Sequence, residues 1–161
     1  MSNEQSTKAT KVEARADREI VSERVFEAPR ERVFDAYTNP ELIPQWWGPR
    51  NVTTVVEQMD VRAGGDWRFV CRNADGASDT FRGTIRDLSP PERIVQTFEW
   101  LGMPGHVVVE TATFEDLGGR TKVTTVSLFH TSEERDGMLA SGMEGGLSES
   151  YERLDELLAR G

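Results

Sequence analysis

The stretch SEERDGMLASGMEGGLSESYERLDELLAR, residues 132–160, decides how the rest of the chain must be arranged. Met143, Leu147, Tyr151, Leu154 and Leu158 recur every three or four positions, which puts them on one stripe of a helix. Glu144, Glu149, Glu152, Arg153 and Glu156 fall mostly on the other side. Ser132, followed by Glu133, Glu134 and Asp136, makes a good start: a hydroxyl cap satisfies an orphan N–H, and first-turn carboxylates complement the helix dipole. Arg160 and Gly161 make an equally good stop. The spacing therefore predicts one long C-terminal helix. Gly137, Gly142, Gly145 and Gly146 lie in its first half, where each costs roughly 0.5–1 kcal/mol relative to alanine. The C-terminal half is the anchor, and the glycine-rich half either packs closely against another element or moves.

Working outward, the apolar period changes from helical to two. Ile20 to Glu27 reads as a first strand, ending at Ala28-Pro29. Pro29 suits the first turn of a short helix whose apolar side carries Val33, Phe34 and Tyr37 and which Asn39-Pro40 stops. A second short helix is predicted from Glu41 through Trp46 and Trp47, up to Gly48-Pro49. Six strands follow, at Val55 to Val61, Trp67 to Arg72, Phe81 to Leu88, Arg93 to Trp100, His106 to Glu115 and Arg120 to Phe129, with turns at Gly64-Gly65, Asp75-Gly76, Ser89-Pro90-Pro91, Gly102 to Gly105 and Gly118-Gly119. Short turns imply antiparallel neighbours, so the expectation is an α+β domain with a seven-stranded antiparallel meander, order β-α-α-β6-α. The sheet has one face to cover and the terminal helix one stripe to bury.

The chain has 161 residues, 37% hydrophobic and 29% charged, with a net charge of −9. That is one globular domain with room for a core. A nucleic-acid partner is not expected, since phosphate binding needs clustered Lys and Arg. Residues 1–18 are polar and charged and read as a disordered or loosely attached tail, leaving 19–161 as the domain. No secretory h-region and no run of about 18 apolar residues is visible, so membrane insertion is not expected, and the single Cys71 leaves no disulfide framework. The cytoplasm is the expected compartment. His106 and His130 lack metal-ligand spacing, and neither a Gly-x-Gly-x-x-Gly nor a P-loop is present, so no cofactor is expected.

Order and spacing of several short motifs carry a resemblance: Phe26-Glu27-Ala28-Pro29 with Val33-Phe34-Asp35-Ala36-Tyr37, Trp46-Trp47-Gly48-Pro49, Asp60-Val61-Arg62-Ala63-Gly64-Gly65-Asp66-Trp67, Ser89-Pro90-Pro91-Glu92-Arg93, and Gly142-Met143-Glu144-Gly145-Gly146-Leu147 with Tyr151-Glu152-Arg153-Leu154. The chain resembles the helix-grip fold of the START-like (SRPBCC, Bet v-like) superfamily, and within it the bacterial proteins related to the C-terminal domain of the activator of the heat-shock-protein-90 ATPase. The resemblance implies a curved sheet gripping the C-terminal helix, with a cavity between them for a hydrophobic or aromatic small molecule.

Trp46, Trp47, Trp67, Phe69, Phe81, Phe98 and Trp100 are the aromatic candidates for that cavity, each with ordinary core packing as the competing reading. Met138, Met143 and Leu147, set among the glycines, are the helix's candidates, against close helix–sheet packing. Trp46 and Trp47 are adjacent on a short helix and are not expected to face the same way, which would leave one ring over the mouth. Gln58, Arg68, Thr97, Glu99 and Glu110 lie on strands, either facing the cavity or exposed and paired with a neighbour. No residue is assigned as catalytic. Ligand binding is thus the leading expectation. The alternatives are a cyclase, dehydratase or hydrolase of the same fold using cavity polar groups, or a chaperone-docking module. A homodimer would form through a strand edge or the Trp46-Trp47 region.

Overall fold

The computed structural model describes residues 10–160. Eight strands form one antiparallel sheet: β1 Lys11–Arg15, β2 Glu19–Phe26, β3 Val52–Met59, β4 Asp66–Asn73, β5 Ser78–Ser89, β6 Arg93–Trp100, β7 Val108–Asp116 and β8 Thr121–Leu128. Their spatial order is β1-β2-β8-β7-β6-β5-β4-β3, so β7 sits near the middle and the long passage from β2 to β3 crosses from one side of the sheet to the other. That passage carries α1, Arg30–Thr38, and a 3-10 turn at Ile43–Gln45. Two helices, α2 Ser132–Ala140 and α3 Met143–Ala159, close the chain.

Four sequence expectations need correction. The sheet has eight strands, not seven, because Lys11–Arg15 pairs with β2 from Lys11↔Glu23 to Arg15↔Glu19. The described part of the supposed tail thus includes an edge strand, while positions 1–9 lie outside the described residues. Four of its five residues are exposed, so backbone pairing rather than apolar burial holds it, and its charges suit an unpaired edge. The predicted second helix shrinks to the Ile43–Gln45 turn, with Pro44 inside it unable to donate. The C-terminal helix is two helices, broken at Ser141-Gly142, where Gly142 adopts φ +86°. Finally, the cap of α2 is Thr131, one residue before the predicted Ser132, its Oγ1 accepting from Glu134 N–H at 3.1 Å.

The core lies where α1 and the second half of α3 press on the concave face. Phe26, Val33, Phe114, Val123 and Leu154 are almost completely buried. Phe26 meets Tyr151 edge-on at 5.3 Å, and Phe34 meets Phe114 at 5.1 Å. A buried charge joins α3 to the sheet: Arg24 of β2 donates to Asp155 of α3 at 2.5 Å and to Thr10 Oγ1 at 2.8 Å. Ser150 and Arg153 of α3 hold the loop after the 3-10 turn. Ser150 Oγ donates to Trp46 O at 2.8 Å, and Arg153 donates to the carbonyls of Pro44, Gly48 and Pro49.

Leu154 is 0% exposed at the centre of this contact. Leu154→Ala is therefore expected to cost about 2–5 kcal/mol of unfolding free energy, read from urea denaturation; a loss under about 1 kcal/mol would mean that α3 is not the anchor.

Candidate functional site

Beyond the core contact, the first half of α3 stands off the sheet and leaves a cavity of about 580 Å3. Glycine accounts for part of that space. A Cβ added at Gly145 or Gly146 would meet nothing within 4 Å. Close helix–sheet packing is therefore not what those glycines serve, and Gly146 is itself part of the cavity wall.

Two clusters of rings make the sides. Trp46 is buried, donates its indole N–H to Ala36 O at 2.9 Å, and lies 4.9 Å from Tyr37 and 6.4 Å from Tyr151. Trp47 turns to the other cluster, edge-on to Phe69 at 5.1 Å and to Phe81 at 5.3 Å. The adjacent rings thus face different ways, and both border the cavity from opposite clusters, Trp46 ending the 3-10 turn at φ −142°. Trp67 continues the wall, 4.7 Å from Phe69 and 6.2 Å from Phe98. Met138, Met143 and Leu147 close it from α2 and α3.

Nine of the ten candidates thus lie on the cavity, and Trp100 does not. Its ring folds onto Gly102 and its Nε1 donates to Asp79 Oδ1 at 3.0 Å, leaving it 38% exposed beyond the end of the wall. Trp100 shares the parity of Phe98 on β6, but the strand runs past the cavity there.

The floor is polar. Gln96, Glu110 and Ser127 are directly opposite one another on β6, β7 and β8, and Ser22 and Thr125 are cross-strand partners one row further on. Ser127 Oγ donates to Glu110 Oε2 at 3.5 Å. Above this row, Tyr37 OH donates to Tyr151 OH at 3.4 Å. Burial pushes the Glu110 carboxyl up to about 7, against the opposing pull of hydrogen bonds from Ser127 and Gln96. Glu110 is partly buried and lines the cavity. Burial also raises both phenols, which stay neutral at physiological pH.

The other polar candidates on strands are accounted for elsewhere. Arg68 pairs with Glu57 at 3.0 Å, and Gln58 is exposed. Thr97 Oγ1 accepts from Thr84 N–H. Glu99 is held below the usual carboxylate range, first by the Gly105 N–H and then by Arg82. Gln96, Ser127, Tyr37 and Tyr151 were not among the polar candidates. For Gln96 the signal is parity: it lies between Ile94 and Phe98, as Glu110 lies between Val108 and Ala112, each a polar residue on an apolar face. Cys71 is buried, its thiol raised by burial, with Thr54 Oγ1 at 3.4 Å. Among the described residues no cluster of His, Cys, Asp and Glu could hold a metal ion, and no helix is long and apolar enough to cross a membrane.

A curved antiparallel sheet that grips its C-terminal helix over a polar-floored cavity defines a helix-grip, SRPBCC-like domain. A sequence model of the Activator of Hsp90 ATPase homolog 1-like protein family matches residues 27–159, and the chain belongs to that family. A crystal structure of a Rhodobacter sphaeroides protein shares the fold at TM-score 0.89 and 24% identity, covering 95% of this chain and 99% of its own. A Staphylococcus epidermidis protein solved by NMR gives 0.79 and 27%, over 92% and 93%. The AHSA1 protein of Silicibacter pomeroyi gives 0.71 and 22%, over 88% and 97%. No curated protein matches the chain.

Glu110 gives the site a pH signature. A carboxyl raised from 4.5 to about 7 by folding binds its proton more tightly in the native state. Its contribution therefore weakens the fold as pH rises from about 4.5 to 7, by up to about 3 kcal/mol, and is constant above that. Urea denaturation over this window is expected to show the decline, and Glu110→Gln to flatten it. Identical slopes in the two proteins would place the carboxyl in water.

Proposed function

We propose that this domain binds a small apolar or aromatic molecule inside the cavity, with Glu110 on the floor and the Tyr37–Tyr151 pair above it orienting the ligand's polar group. The supporting observation is the cavity itself: about 580 Å3, walled by tryptophan and phenylalanine rings over a short polar row. Ligand sites of about 300–1,000 Å3 with apolar walls and a few convergent polar groups have this character. Rings on both sides suit a planar guest, which gains apolar burial of about 25 cal/mol per Å2 together with edge and face contacts. A cytoplasmic location goes with this reading.

A second reading is an enzyme of the same fold, a cyclase, dehydratase or hydrolase. What favours it is Glu110, whose acidity near neutrality beside two neutral phenols is the property of a general acid or base. A chaperone-docking role finds less surface: Val55, Trp100 and Met103 are the large apolar side chains left exposed among the described residues.

Titration with a panel of planar hydrophobic compounds is expected to change tryptophan fluorescence and raise the melting temperature. Trp100→Phe should keep the response, since Trp46, Trp47 and Trp67 are the indoles on the cavity. Gly146→Phe should grow a ring from the wall into the space and weaken binding at least about tenfold without loss of fold. A panel without any shift, or unchanged affinity in Gly146→Phe, would sink the proposal; consumption of a bound compound would promote the second reading.

A further inference from the structure

Building on the cavity-binding reading, we infer that the cavity selects lipophilic organic cations, an ammonium group pairing with Glu110 at the middle of the sheet while the apolar body fills the ring-walled space. The first ground is the inventory of charge. Glu110 and Asp79 are the carboxylates of the lining, and no Lys, Arg or His is among the described residues that line it. Asp79 already accepts from Trp100 Nε1 near the end of β6. Glu110 lines the cavity from β7 near the middle of the sheet, so a guest meets an acid with no basic side chain in the lining to neutralise it.

The second ground is what faces Glu110 from each neighbouring element. Gln96 comes from β6, Ser127 from β8, Tyr37 from α1 and Tyr151 from α3. All are neutral. The buried cation of β2, Arg24, is committed to Asp155 and Thr10. A buried carboxylate held only by neutral donors is costly, and a guest that brings the missing positive charge offsets that cost. A guest carboxylate would add a second anion to the same dry space, so fatty-acid-like ligands are rejected.

The walls act in the same direction. Ring faces carry negative potential and attract an ammonium or guanidinium within about 6 Å, most strongly when water is excluded. The chain's net charge of −9 raises the local concentration of cations and repels anions before entry. Charge on the guest also sets a pH dependence. With the carboxyl titrating at about 7 and both phenols well above, its ionised fraction rises roughly tenfold between pH 6 and 8, while an aliphatic amine stays protonated.

Isothermal titration with three isosteric probes tests this: 1-naphthylmethylamine, 1-naphthylmethanol and 1-naphthoate, at pH 6 and 8, on the wild-type protein and Glu110→Gln. The amine is expected to bind at least about tenfold tighter than the alcohol at pH 8, the naphthoate weakest. Glu110→Gln should collapse the amine-to-alcohol ratio towards one. In wild type alone that ratio should fall about tenfold from pH 8 to 6, a readout that survives if the variant does not fold. An alcohol that binds as tightly as the amine, or an amine preference persisting in Glu110→Gln, overturns the cation assignment and leaves the cavity reading standing. Binding by none of the three overturns the cavity reading itself.

Discussion

One helix has to do two incompatible things, and the molecule is arranged around how α3 divides them. Its apolar stripe is continuous from Met143 to Leu158, yet only Tyr151, Leu154 and Leu158 are buried against Phe26 and its neighbours. A helix packed tightly along its whole length would fill the concave face and leave no interior space. Here the second half is locked by packing, by Arg24–Asp155 and by the grip of Ser150 and Arg153 on the 44–49 loop. The first half, without a side chain at Gly146 on the cavity wall, spans open volume. Stability is thus concentrated at one end of the concave face, and the other end is left as the cavity.

The same division explains the two tryptophans. Trp46 belongs to the locked side, with its N–H spent on Ala36 O and its carbonyl on Ser150. Trp47 belongs to the open side, against Phe69 and Phe81, tied back through its carbonyl to Thr54 Oγ1 at 2.6 Å. A short loop pinned by α3 and β3 therefore spans core and cavity, with Ser150 and Arg153 tying it to the helix.

The architecture was legible in the sequence wherever burial wrote a period. The helical stripe, the central strands and most cavity rings follow from apolar spacing that the fold physically requires. Where burial is slight the signal fails: β1 is an exposed edge whose stabilising contacts are backbone hydrogen bonds, which leave no mark on side-chain choice. The break at Gly142 was written as a glycine, but a glycine inside a helical pattern equally describes close packing. Strand parity groups Trp100 with Phe98, although it does not say where along the strand the cavity ends. For the polar floor the information was present, because Gln96 and Glu110 each interrupt an apolar face. Alternation within one strand cannot reveal that they stand opposite each other; the register of β6 on β7 does, and that register depends on the turn joining the two strands.

Glu110 is the point at which local rules and global fold disagree. A carboxyl on the central inner face costs desolvation, and neutral donors on either side return only part of that cost. The fold gains nothing from it: glutamine would fill the same volume and keep hydrogen-bonding capacity without a charge to bury. A group whose removal is expected to favour the native state in the very pH range where proteins ordinarily work has no structural reason to be there. Sites that violate the rules of stable folding in this way are where function is sought first. The cavity supplies the space and the rings, features that apolar packing alone can produce. The unneutralised acid on its floor is the feature on which the proposed chemical preference rests.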